Sequence, residues 1–294
     1  MRVTWGRIGV SGVALLTLVL VAVPTASASQ RIGLNATAVT LAADASGRAL
    51  VTFREGGRVR RLLAWGAVNA RHPHPRRPQV RFRLRYSGSA QVANACSSYN
   101  GPGLNWLVAA CRAPDGSYWA LQSWQRLLPG RGKPASRRQA AWELRLSHWR
   151  GPLPEFVVKL DWSYRRYHHL YGWYSYLGNP IFGFRVTGNG RPLDAYGRNV
   201  YLDTRNSAYG SSWRREGAFL AQRPRGNFCW GFFPRAGRRA GHGDRYRATV
   251  IGPGVMPDLF WEAPAPGAYD RARDQAANDE QRQLAGSSKY CRPN

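Results

Sequence analysis

Along most of this chain apolar and polar residues alternate one for one, between short clusters of glycine, proline, asparagine and aspartate. A period of two is that of a β-strand with one covered face and one wet face. Residues 39–43, 49–54 and 58–68 read as a three-stranded meander. Its turns are Asp44-Ala45-Ser46-Gly47 and Glu55-Gly56-Gly57. The clearest strand is 79–86, where Val80, Phe82, Leu84 and Tyr86 face one way and Arg81, Arg83 and Arg85 the other. Further strands are expected at 117–124, 142–149, 155–163, 167–177, 181–186, 199–203, 218–222, 227–233 and 245–251. The pairs 142–149/155–163 and 167–177/181–186 form hairpins, the second across Gly178-Asn179. Segments 127–138 and 234–243, rich in arginine, glycine and proline, read as loops.

Helical character is confined to the tail. Residues 269–284 contain no proline or glycine, but their apolar stripe is thin (Ala272, Ala276, Leu284) and packs weakly by itself. Many short strands and one late helix predict an all-β fold, an antiparallel β-sandwich or a jelly-roll-like relative, with a short C-terminal helix. The core candidates are Leu144 and Leu146 with Trp142, Trp162 with Phe156, Val158 and Leu160, and Trp230 with Phe228 and Phe232.

The first residues change the boundaries. Arg2 and Arg7 precede an apolar run from Ile8 to Val23, followed by Pro24 and Ala26-Ser27-Ala28. This is the layout of a secretory signal peptide cleaved after Ala28. The expected division is therefore a cleaved leader over 1–28, a β-rich domain over 29–265 and a helical tail over 266–294. The proline-stiffened connector 71–78 offers a point of subdivision. His72 and His74 sit in that connector without a third ligand nearby, so it reads as a linker and no metal site is expected.

Export changes the reading of the cysteines. Cys96, Cys111, Cys229 and Cys291 form an even set in an oxidising compartment and predict two disulfides. Of the three pairings, Cys96–Cys111 with Cys229–Cys291 is preferred, since it closes a short loop and ties down the helical tail.

Charge narrows the partners. Without Arg2 and Arg7 there remain 41 basic and 16 acidic residues. Arginine exceeds lysine by forty to three, as a GC-rich genome favours, but codon bias does not account for basic over acidic. A field of this sign attracts polyanions. For an exported protein these are anionic polysaccharides or wall polymers, anionic lipid headgroups and extracellular nucleic acid. Arg81, Arg83 and Arg85, about 7 Å apart along one strand face, match a chain of phosphates or carboxylates.

Catalytic motifs are absent: there is no G-x-S-x-G, H-E-x-x-H, P-loop or dinucleotide fingerprint. Glu155 and Asp161 share strand parity but lie roughly 20 Å apart, too far for one glycosidase centre. Asp194 with Asp203 and Asp258 with Glu262 are undistinguished pairs, and each acid has many arginines to pair with. His242, flanked by Gly241 and Gly243, reads as a loop tip.

The stretch from Trp162 to Tyr176 carries seven aromatic residues. Plain alternation from Tyr167 gives two mixed faces. A bulge at Gly172 would instead put Tyr167, His169, Tyr171, Tyr174 and Tyr176 on one outer face, led in by Arg165 and Arg166. Without it, the strand is central and covered on both sides. The functional expectation is a secreted, basic, non-catalytic β-sandwich that binds anionic glycan or another surface polyanion, with no cofactor. The alternatives are a secreted polysaccharide hydrolase or lyase using His169, Tyr171 or Asp161, and a structural envelope protein with no defined ligand.

Overall fold

The computed structural model describes residues 29–72, 74, 77, 79–130, 136, 139–182, 199–222, 225–232 and 243–286. The leader 1–28, His242, Cys291, Asp194 and most of the loops at 127–138 and 234–243 lie outside them.

The strands, in chain order, are β1 (Gln30–Leu34), β2 (Thr37–Ala43), β3 (Ala49–Glu55), β4 (Arg58–Trp65), β5 (Arg83–Tyr86), β6 (Ser97–Ser98), β7 (Leu107–Arg112), β8 (Tyr118–Trp124) and β9 (Glu143–Trp149). They continue as β10 (Glu155–Ser163), β11 (Tyr167–Tyr176), β12 (Asn179–Pro180), β13 (Val200–Arg205), β14 (Arg214–Phe219), β15 (Asn227–Phe232), β16 (Arg245–Val250) and β17 (Leu259–Pro264). One helix, α1 (Arg271–Ala285), follows. All named strand pairings are antiparallel. The expected all-β class is therefore observed. Among the described residues no helix is long and apolar enough to cross a membrane.

Three sheets stack around a central one that is covered on both faces. The central sheet runs β1-β9-β8-β7-β6. Trp119, Leu121, Leu144 and Leu146 point from it to the outer sheet β2-β3-β4-β5, where Val51, Phe53, Leu62 and Phe82 meet them. Ala120 and Trp149 point the opposite way, into a second core shared with the sheets β14-β13-β16-β17 and β10-β11-β12, the latter extended by β15 on β11. All seven residues of β9 are buried, as a strand with no wet face requires.

Two turns come out as read. Gly56 and Gly57 both take positive φ (55° and 77°) in the two-residue β3–β4 turn, and Asp44 accepts the Ser46 and Arg48 amides in the preceding one. The Cys96–Cys111 disulfide is present and joins the residue before β6 to β7. A closed loop of this size contributes on the order of 3 kcal/mol. This bridge does not tie the helix, and the expected partner of Cys229, Cys291, lies outside the described residues.

Several expectations are corrected. Segments 142–149 and 155–163 do not form a hairpin, since β9 pairs with β1 and β8 whereas β10 pairs with β11 in another sheet. Trp142 is 45% exposed, because it stands one residue before β9 with its backbone bonded to Asn35. β5 is shorter than expected and begins at Arg83, although Phe82 is buried and Val80 packs against the core. In the helix, Ala272 and Ala276 are exposed; the buried stripe is Asp274, Ala277, Gln281 and Ala285. That stripe is half polar because α1 docks on β10 and β11 through hydrogen bonds. Gln281 Nε2 donates to Ser163 Oγ at 2.6 Å, the Arg166 amide donates to Asp274 at 3.0 Å, and the Tyr164 amide donates to Asn278 at 2.9 Å.

Gly172 is not a bulge. β11 pairs residue for residue with β10 from Ser163↔Tyr167 to Glu155↔Ser175, and with β15 from His168↔Phe232 to Trp173↔Asn227, without a slip. The glycine is needed because a Cβ there would stand 1.9 Å from the Val157 carbonyl oxygen. Gly172→Ala is expected to cost about 3 kcal/mol or more, measured as a lower thermal midpoint or loss of folded protein. An unchanged midpoint would contradict this close pairing.

Candidate functional site

The outer sheet carries the strongest candidate. Its inward positions fill the first core, so the alternate positions face away from it. In the β4–β5 register Arg83 stands opposite Trp65 and Arg85 opposite Leu63. Two residues further along β4 comes Arg61, opposite Thr52, and two further again is Val59, opposite Arg54 on β3. Arg83, Arg85, Arg61 and Arg54 thus occupy four successive two-residue rows on one face, crossing obliquely from β5 through β4 to β3. Each row is about 7 Å, so the line spans roughly 20 Å along the strand direction.

All four arginines are exposed, and among the described residues none has an ion pair. Arg61 Nη1 donates to the Gly88 carbonyl at 3.1 Å, which fixes one end of its guanidinium and leaves its charge uncompensated. The outward positions of β2 to β5 contain no carboxylate. The acid of these strands, Glu55, has the opposite parity, lies 3.8 Å from Arg60 and accepts the Leu34 amide. Arg81, expected to join Arg83 and Arg85, precedes β5 and is half-buried. Arg54 and Arg61 were not expected. The Gly56-Gly57 turn would have placed them, since a two-residue turn sets the register of its strands.

The aromatic strand is packing. Tyr171, Tyr174 and Tyr176 are at most 3% exposed and His169 is 4% exposed. The tyrosines do not share a face. Leu170, Tyr174 and Tyr176 belong to the second core, with the Tyr174 hydroxyl donating to the Ile251 carbonyl at 2.9 Å. His169 and Tyr171 point to the other side, where α1 covers them. The His169 ring contacts Gln281 Oε1 at 3.3 Å, and the Tyr171 hydroxyl donates to Glu280 at 3.1 Å. Burial, together with the Glu280 carboxylate, pushes the Tyr171 hydroxyl well above its ordinary range. Tyr167 is half-buried at the start of the strand.

Arg165 and Arg166 lie in the β10–β11 turn, where Tyr164, Arg165 and Arg166 all take positive φ (46°, 69° and 72°). Three consecutive left-handed residues other than glycine are costly, and α1 stabilises them through Asn278 and Asp274. The Arg166 guanidinium stacks on the Tyr269 ring at 4.9 Å. Arg165 is exposed at the tip. Neither approaches a tyrosine platform, because none is open.

The carboxylates pair structurally. Asp161 binds Arg273 at 2.9 Å, Asp203 binds Arg215 at 2.5 Å and Arg247 at 2.9 Å, and Glu262 binds Arg245 at 2.7 Å. Glu155 accepts the Ser175 hydroxyl at 2.9 Å. A cleft lined by Leu104, Asn105, Phe156, Asp258 and Phe260 contains none of His169, Tyr171 and Asp161. Its one charged lining residue, Asp258, is held by Arg145 at 3.0 Å and by the Trp124 indole at 2.7 Å.

Two histidines are buried as neutral rings. Burial pulls His148 down to about 4, against the opposing bond to the Ala67 carbonyl at 2.6 Å; the ring stacks 3.7 Å from Trp119. Burial likewise lowers His169 to about 4, against its Gln281 contact. No protein-family model matches the chain, and no match to it was found among curated proteins or among solved structures.

Between the ordinary histidine value of about 6.5 and the folded value of about 4, the unfolded chain binds more protons than the folded one. Stability is therefore expected to be level above pH 6.5 in this respect, to fall as pH drops toward 4, and to lose no more from these groups below it. His169→Gln should flatten part of that slope in thermal melts between pH 7 and pH 4. An unchanged slope would show that His169 is not buried as a neutral ring.

Proposed function

We propose that the protein is a secreted, non-catalytic binder of linear anionic glycan or wall polymer, and that it holds the polymer along Arg83, Arg85, Arg61 and Arg54. The observation that carries this reading is the row itself: four exposed guanidinium groups at strand-pair intervals, on a face without a carboxylate. Each guanidinium can fork onto a phosphate or carboxylate. A polymer laid obliquely across the strands would meet one about every 7–9 Å.

The driving force is release of counterions from the polymer, so binding weakens as salt rises. The net charge of +27 for the full sequence adds long-range attraction. Stacking on the Tyr167–Tyr176 strand is not part of the mechanism, because Tyr171, Tyr174 and Tyr176 are buried and Tyr167 is half-buried. A basic sheet face without a carboxylate suits a chain that is held rather than cut.

Retention on immobilised wall polymer and on heparin, measured over a salt series, tests this. The logarithm of the binding constant should fall linearly with the logarithm of salt. The triple variant R61S/R83S/R85S should reduce that slope by about 2–3, since each contact contributes about 0.7–0.9. Arg165→Ser, away from the row, should leave it unchanged. Absent or salt-independent retention would overturn the reading, as would an equal slope for the triple variant. Preferential retention on anionic vesicles or single-stranded nucleic acid would replace the glycan with another polyanion.

A further inference from the structure

Among the described residues, one guanidinium and two carboxylates share a buried cluster where the chain enters the fold. The side chains of Arg145, Glu143 and Asp258 are 1%, 5% and 0% exposed. Arg145 Nη1 donates to Glu143 at 2.7 Å, and Arg145 Nε lies 3.0 Å from Asp258. One guanidinium therefore serves two carboxylates. Glu143 has further cations in Arg126 at 2.9 Å and Arg31 at 3.3 Å. Burial raises the Glu143 carboxyl, but the Arg145 and Arg126 charges outweigh it and hold it below the usual range. Among the described residues Asp258 has no cation besides Arg145. Its other partners, the Trp124 indole, the Gly252 amide and the Ser29 hydroxyl, are neutral donors.

Ser29 completes this cluster. It is fully buried. Its hydroxyl donates to Asp258 and accepts from Arg145 Nε at 2.9 Å, its carbonyl accepts from Arg145 Nη2 at 2.6 Å, and its nitrogen donates to the Gly252 carbonyl at 3.1 Å. Covalent geometry keeps that nitrogen within roughly 6 Å of the Asp258 carboxylate. The layout of residues 2–28 predicts a signal-peptidase cut directly before this residue.

We infer that cleavage between Ala28 and Ser29 gives Asp258 a cation of its own beside the shared Arg145: the new α-ammonium of Ser29 stays inside the fold, bonded to the Gly252 carbonyl and paired with Asp258. Hydrolysis of that peptide bond consumes one water and leaves a carboxylate on the leader and an ammonium on the mature chain. The bond before a fully buried residue is out of reach once the chain has folded, so cleavage comes first. The mature terminus is then part of the core, and processing supplies a charge that the uncleaved chain lacks. This inference is independent of what the arginine row binds.

The test compares the full mature chain beginning at Ser29 with the same chain carrying Gly-Gly ahead of Ser29, which replaces the buried ammonium by a neutral amide. Intact mass of the exported protein should first give Ser29 as the terminus. An ammonium paired in the fold has its value raised above about 8, so its contribution is present below that pH and is lost as pH rises through the folded value. The Ser29 form should melt roughly 3–6 °C higher at pH 6–7, with the gap closing by pH 10–11. A gap that is constant with pH would reflect only a steric cost of the added residues and would overturn the inference. Equal midpoints throughout, or a mature terminus other than Ser29, would overturn it too.

Discussion

A guanidinium in the middle of a fully covered strand must be matched, and the matching of Arg145 joins distant parts of the chain. Glu143 comes from its own strand, Asp258 from the residue before β17, and Ser29 from the residue before β1. Asp258 in turn holds the Trp124 indole and exchanges two hydrogen bonds with Gln122 through its backbone. Removing one partner would leave a buried charge uncompensated, a larger loss than the pair's own net contribution. The start, middle and end of the β domain are thereby held in one register about the central sheet.

That arrangement decides which faces remain available. The central sheet has none, because the outer sheet covers one side and the second core the other. The β10–β11–β15 layer gives one face to that core and the other to α1, whose contacts are largely polar: Lys159 with Glu280, Arg273 with Asp161, and Gln281 with Ser163. The outer sheet is left with an unburied arginine row. On that face the fold provides no carboxylate to pair with the row; elsewhere Asp203 takes two arginines, and Glu262 and Asp161 take one each.

Local features were the legible ones. The β3–β4 turn, the strand Glu155–Ser163 and the Cys96–Cys111 loop follow from neighbouring residues, and the structure contains each of them. Strands β1, β7 and β17 were missed; Gln30–Leu34 and Leu107–Arg112 take their pairing from β9 and β8, with little alternation of their own. A bulge at Gly172 would give β11 one clean face. The strand needs none, since α1 supplies hydrogen-bond acceptors to its polar side. The helix departs from its apolar pattern for the same reason: Asp274 and Gln281, and not Ala272 and Ala276, face the strands. In the candidate site, Arg83 and Arg85 were visible from alternation within one strand. Arg61 joins them only through the β4–β5 pairing, which spans a long connection that no turn rule fixes.

The central claim is that recognition belongs to the oblique arginine row and not to the aromatic strand. Arginine-selective chemical modification, read by peptide mass spectrometry with and without saturating wall polymer, tests it most directly. Protection of Arg54, Arg61, Arg83 and Arg85, with Arg165 modified equally in both samples, is the predicted result. Protection confined to Arg165 and Arg166, or no protection at any arginine under conditions of retention, would contradict it.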